Sequence, residues 1–121
     1  QWQIVCPPEN RAELFSKIEA GLKGKDSSVV DISDGHTTLC LKGGKVRDTL
    51  KKGCPLDIHP SVFKKGNMAL TRIVHADILL HREEGDHYHL IVRNSFAEYL
   101  LLWLYDAALE YGVSVKEDIV A

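Results

Sequence analysis

The stretch Tyr99-Leu-Leu-Leu-Trp-Leu-Tyr105 constrains the fold of this chain more than any other. Ser95 with Glu98 three residues on reads as a capping box, and Gly112 reads as a C′ glycine. The segment between them is therefore predicted helical. A helix on the surface of a small domain shows one apolar stripe and one polar face. This one is apolar nearly all the way round, so it needs cover on more than one side. A chain of 121 residues has little material to spare for that. The cover comes from further residues of the same protein, from another subunit, or from a core that takes in the whole helix. Tyr99, Trp103 and Tyr105 are residue types enriched among interface anchors.

The length fits one domain, residues 1–121, with a modest core. A net charge of −2 gives no basic field to hold nucleic acid or an anionic membrane. The longest apolar run is Tyr99–Tyr105, far too short to span a bilayer. Cys6, Cys40 and Cys54 make an odd number with no C-x-x-C. That favours reduced thiols and a cytoplasmic setting over a disulfide frame. The chain opens Gln-Trp-Gln-Ile-Val-Cys, with no signal peptide visible in these residues, straight into what reads as a strand. This leads us to expect a further N-terminal segment.

Trp2–Cys6 is that first strand, stopped by Pro7-Pro8, and Pro8 suits the first turn of a helix. Leu14, Ile18 and Leu22 repeat every four residues as its apolar stripe, and Gly21 and Gly24 end it. Val29–Ser33 is a β-branched run, Asp34-Gly35 a hairpin signal, and His36–Leu41 the return strand. A short helix runs from Val46 to Lys52, and a Pro-rich loop follows down to Gly66. Met68–His81 is one bent strand or two, with a break near His75-Ala76-Asp77. Glu84-Gly85-Asp86 turns it into Tyr88–Val92, and the apolar helix comes last. The order β-α-β-β-α-β-β-α predicts an α+β domain. Its first six elements match the ferredoxin-like split βαβ, and an extra strand and helix follow.

Three clusters invite a chemical reading. His87 and His89 lie two apart, so both project from one face of their strand, with His81 across the turn. Two imidazoles fall short of the three or four ligands zinc takes, and no cysteine is near in sequence. Polar residues on a solvent face explain them as well, so no metal ligand is assigned. Gly43-Gly44-Lys45 resembles a phosphate loop only superficially, because Val46 stands where Ser or Thr is needed. Cys54 and His59 could form a nucleophile and base, but no third group is identifiable. Gly53, Pro55, Asp57 and Pro60 account for the same loop as a shape.

Longer motifs carry a resemblance. They are Asp31-x-Ser-Asp-Gly35, Leu41-x-Gly-x-x-x-Arg47-x-x-Leu50, Lys52-Gly-Cys-Pro-Leu-Asp-x-His-Pro60 with Phe63, and Thr71 with Ile78-Leu-Leu80. Arg93, Ser95-Phe96-Ala97-x-Tyr99-Leu100 and Trp103-Leu104 complete them. Across nearly the whole chain these resemble the gamma subunit family of heterotetrameric sarcosine oxidase. Trp2 looks like a tryptophan that the family carries well inside its chain. The resemblance implies a reduced relative of the aminomethyltransferase (T-protein) fold, which binds tetrahydrofolate. It implies larger flavin-carrying alpha and beta subunits and a small zinc-binding delta subunit as partners. FAD, FMN, NAD, zinc and tetrahydrofolate would all lie on those other chains. The complex would oxidise sarcosine to glycine and pass the one-carbon unit to tetrahydrofolate, or release it as formaldehyde. Related complexes act on other N-methyl amines such as N-methylglutamate.

For this chain the resemblance implies no catalytic residue and no bound cofactor. Cys54, Pro55, Asp57, His59, Phe63, Phe96, Tyr99 and Trp103 become candidates for a shaped loop and an interface. The alternative is a stand-alone tetrahydrofolate-binding module of the T-protein type. That needs a carboxylate facing the pterin, which has no assignable position here.

Overall fold

A computed structural model of the chain describes residues 4–116, which divide into two units. The first extends to Ile32. Ile4–Cys6 form no regular element, so the strand expected at Trp2–Cys6 is absent from its described part, and Trp2 lies outside the described residues. Pro8 opens a 3-10 turn at Pro8–Asn10 that leads into α1, Arg11–Gly21, as its fixed φ suits. The guanidinium of Arg11 donates to Asp31 at 2.7 Å. None of α1's residues is buried.

Ser33–Val115 is the second unit, and among the described residues every buried one lies in it. Its elements are β1 (His36–Lys42), α2 (Val46–Leu50), β2 (Met68–Ile73), β3 (Ala76–Glu84), β4 (His87–Arg93) and α3 (Asn94–Ala108). The strands form one antiparallel sheet in the order β1-β4-β3-β2. The unit is α+β, with the sheet covered on one face. Leu80, Ile78, Tyr88, Leu90 and Val92 project from that face. They pack with Val46 and Leu50 of α2, Cys54, Ile58 and Phe63 of the loop, and Leu100 and Leu104 of α3.

The β-branched run Val29–Ser33 is not a strand, and Ser33–Gly35 is a 3-10 turn rather than a hairpin. Val30 is 74% exposed, and Val29–Ile32 form no regular element among the described residues. Strand propensity alone does not make a strand. With Val29–Ser33 lost, the described residues do not contain the βαββαβ order. Met68–His81 resolves into two strands, β2 and β3, joined by the two-residue turn Val74-His75. The predicted capping box does not form either. Helix α3 starts directly from β4 with Arg93 at its N-cap, ahead of Ser95, and no side chain caps it. Asn94 instead donates to the Asp34 carbonyl at 2.7 Å and accepts from the Thr37 hydroxyl at 2.6 Å, tying the helix start to β1. Gly112 follows the 3-10 turn Leu109–Tyr111 that comes after α3, at φ +84°, a region that favours glycine. No helix among the described residues is long and apolar enough to cross a membrane.

Candidate functional site

The loop between α2 and β2 is held by its own polar groups. The carboxylate of Asp57 accepts from the His59 backbone N–H at 3.0 Å, the turn expected of an aspartate there. His59 Nδ1 lies 2.7 Å from the Ser61 hydroxyl. The His59 carbonyl accepts from the N–H groups of Val62 and Phe63 at 2.9 and 2.8 Å. Cys54 is buried with its sulfur 3.8 Å from the Thr71 hydroxyl. The thiol and the imidazole therefore have different partners, Thr71 and Ser61, and do not form a nucleophile–base pair. Pro55 is exposed beside Cys54, and Phe63 is buried in the core. Arg82 anchors the loop's far end by donating to the Phe63 carbonyl at 2.8 Å.

Trp103 joins this loop to the apolar helix. A Cβ on Gly53 would stand 2.6 Å from Trp103 Cζ2, so the indole lies directly on glycine backbone. The Gly53 carbonyl accepts from the Val74 N–H at 3.0 Å, and Val74 holds φ +54°. That conformation is unusual for a β-branched residue. Lys52 donates to the Ala107 carbonyl at 2.7 Å and pairs with Glu110, which fixes the end of α3 with a cation, as the helix dipole favours.

The outer side of α3 carries exposed Glu98 and Asp106 but is otherwise largely apolar. Leu100 and Leu104 are buried and Ala97 and Trp103 partly so, while Leu101, Leu102 and Tyr105 turn away from the core. Leu102 is 60% exposed. Near the helix start Phe96 and Tyr99 meet edge to face, both exposed, with ring centroids 6.5 Å apart. The seam predicted from sequence is thus half filled: one side packs on the sheet, and the other is an apolar and aromatic arc.

The sheet's other face brings together residues that sequence spacing kept apart. In the β1–β4 register Cys40 stands opposite His89, and in the β3–β4 register so does His81. The Cys40 sulfur lies 3.7 Å from His89 Nδ1. A register shift between Arg82 and Glu84 lets Glu83 reach both imidazoles: its Oε2 is 2.6 Å from His89 Nε2 and 3.0 Å from His87 Nδ1. The rings of His87 and His89 stack at 5.0 Å, and His81 tilts against His89 at 5.7 Å. The N–H from His89 and the nearby imidazoles hold the Glu83 carboxyl below its usual range. Burial pushes His87 below the ordinary imidazole value. Sequence reading missed Cys40 and Glu83. Cys40 arrives by a pairing 49 residues long, and Glu83 through an irregularity in the strand.

Residues 1–110 match the profile of a family described as "Sarcosine oxidase, gamma subunit family". The chain is 32% identical over 109 residues to the sarcosine oxidase subunit gamma of Corynebacterium sp. (strain P-1), covering 90% of this chain and 53% of that protein. The subunit of the same name from Arthrobacter sp. is 31% identical over 109 residues, with the same coverage. Among solved structures, a chain of the heterotetrameric sarcosine oxidase from Corynebacterium sp. U-96, in complex with pyrrole 2-carboxylate, superposes with a TM-score of 0.79 at 28% identity. That match covers 87% of this chain and 54% of the other. The chain spans about half the length of the curated relatives it matches.

Proposed function

Because the chain belongs to the sarcosine oxidase gamma subunit family, we propose that it is a non-catalytic assembly subunit of a multi-subunit, flavin-dependent sarcosine oxidase. In this reading the complex oxidises sarcosine to glycine and passes the one-carbon unit to tetrahydrofolate. Larger flavin-carrying alpha and beta subunits and a small zinc-binding delta subunit are its partners, in the cytoplasm. FAD, FMN, NAD, zinc and tetrahydrofolate are assigned to those chains. Descent from an aminomethyltransferase-like fold is part of the same proposal and rests on the motif likeness alone.

The observation that carries the reading is the outward arc of α3. Leu101, Leu102, Tyr105, Phe96 and Tyr99 are exposed on a helix whose inner side is already packed. Aromatic and aliphatic anchors on a rigid element suit a permanent interface, whose centre is more apolar than ordinary surface. The loop contributes shape: Asp57 and His59 fold it, and Gly53 seats Trp103. This leaves Cys54, Asp57 and His59 as structural residues, with no reacting group among them.

The test is recovery of the tagged chain from its own cells, with mass spectrometry of what accompanies it and an absorbance scan for flavin. We expect larger yellow chains in fixed proportion. The double variant Leu102→Glu, Tyr105→Ser should lower that recovery at least about tenfold, as loss of central anchors does. Recovery as a colourless monomer would sink the subunit reading and leave direct tetrahydrofolate binding as the next assay.

A further inference from the structure

We propose that the outer face of the sheet carries a zinc-class divalent metal site, formed by the thiolate of Cys40, Nε2 of His87 and Nδ1 of His89, with Glu83 as the carboxylate that orients both imidazoles. This does not rest on the subunit reading.

Each histidine spends one nitrogen on the same oxygen: His87 through Nδ1 and His89 through Nε2, both on Glu83 Oε2. A carboxylate accepts, so those nitrogens carry the protons. The proton on each neutral ring is then placed, and His87 Nε2 and His89 Nδ1 are left with lone pairs. His87 Nε2 is buried without a hydrogen-bond partner, and a buried polar atom left so calls for an explanation. His89 Nδ1 faces the Cys40 sulfur at 3.7 Å. A carboxylate that fixes the tautomer and aim of an imidazole is the usual outer partner of a metal-bound histidine. Here one carboxylate serves two.

Distance agrees. Ligand atoms of Cys40, His87 and His89 lie within 4.8 Å of one another. Bonds of about 2.3 Å to sulfur and about 2.0–2.1 Å to nitrogen put tetrahedral neighbours roughly 3.5 Å apart. The Cys40–His89 edge already has that length, and small rotations of exposed or half-exposed side chains bring in the third atom. Three strand-borne ligands leave a fourth position for water. The donor set decides the metal: one thiolate and two imidazoles select zinc-class ions over magnesium or calcium, which take oxygen. On binding, the metal replaces the S–H···N contact and the thiol proton passes to solvent, so the site gains a dication and loses one proton. The ion would also clamp β1 to β4.

Cobalt(II) is the probe, because a thiolate bound to it gives a charge-transfer band that imidazole alone does not. The full chain, purified under reducing conditions and stripped with a chelator, is titrated with Co²⁺ and then with Zn²⁺. We expect one equivalent of Co²⁺, a charge-transfer band and its displacement by Zn²⁺. Cys40→Ser should abolish the band. His87→Gln and His89→Gln should each weaken binding at least about tenfold. Glu83→Gln should keep the band but weaken binding about 10–100-fold, as loss of an outer partner does. Circular dichroism checks the fold of each variant, and Cys40→Ala replaces Cys40→Ser if the latter misfolds. Where the chain is obtained only within a complex, the measure is metal content of wild type minus the Cys40 variant, expected to be one ion per chain. Absence of the band, its persistence without Cys40, or unchanged affinity in both histidine variants overturns the site.

Discussion

Gly53 is the residue at which the loop and the helix are fitted to one another. Its missing side chain is where the Trp103 indole lies, and a Cβ there would also meet Val74 Cγ2 at 3.0 Å. Both neighbours are anchored: Trp103 by α3, Val74 by its bond to the Gly53 carbonyl. Overfilling a packed site of this kind costs typically about 1–3 kcal/mol. Gly53→Ala should therefore lower the unfolding free energy measured in urea by that amount, whereas Gly44→Ala, with open space at its Cβ, should change it by less than about 0.5 kcal/mol. Equal effects would show that the indole does not need the glycine. A second prediction concerns Glu83 and His87. Both are held below their ordinary values, Glu83 first by its hydrogen bond from His89 and His87 first by burial. The unfolded chain then takes up protons before the folded one as pH falls through the ordinary histidine value and later the carboxylate value. Stability contributed by these groups is thus present at neutral pH and lost on acidification. The urea midpoint should drop between about pH 7 and about pH 5, and His87→Gln should flatten that part of the curve. An unchanged slope in the variant would remove His87 from the explanation.

Helix α3 has two sides that ought to answer differently to the same substitution. Leu100 is fully buried against the sheet, and Leu102 faces outward. Leu100→Ala should cost about 2–5 kcal/mol. Leu102→Ala should stay within about 0.5 kcal/mol in the isolated chain, because no packing is lost. Similar losses at both would mean that α3 is rotated from the described arrangement. This helix was legible in advance because its signal is local, a long apolar run with a glycine beyond its end, although the capping box read at Ser95 does not form. Strand β1 was read from its alternation, and the aspartate turn in the loop from its chemistry. Two things were not local. Val29–Ser33 has the composition of a strand, yet composition does not encode whether a segment joins a ladder. The histidine cluster depends on β1 pairing with β4 and on the irregularity at Glu83, so Cys40 and His89 meet only once the register exists. Alternation tells which residues share a face of one strand; it does not tell which strand comes next.

At the scale of the whole chain, burial is distributed unevenly, and this leads to a prediction about where its stability resides. Every buried residue from Val46 to Leu104 belongs to the unit Ser33–Val115, whereas α1 and the 3-10 turn before it bury none. Among its described residues the first unit has one α-helix, of eleven residues, with ion pairs such as Lys17–Glu13 and Arg11–Asp31 on exposed side chains. Exposed pairs are worth about 0–1 kcal/mol each. An isolated helix of that length is marginal in water without an apolar face to bury. The sheet unit has a continuous core drawn from four strands, two helices and the loop, which is what cooperative unfolding requires. A chain beginning at Ser33 should therefore retain one cooperative thermal transition and the far-ultraviolet signature of the sheet. A peptide ending at Ile32 should show little helix alone. Limited proteolysis of the full chain should cut first between Leu22 and Ile32, where the backbone forms no helix or strand. A shortened chain that loses its transition would mean that the first unit supplies stability which its exposed side chains do not account for, and the division of the molecule at Ile32 would have to be abandoned.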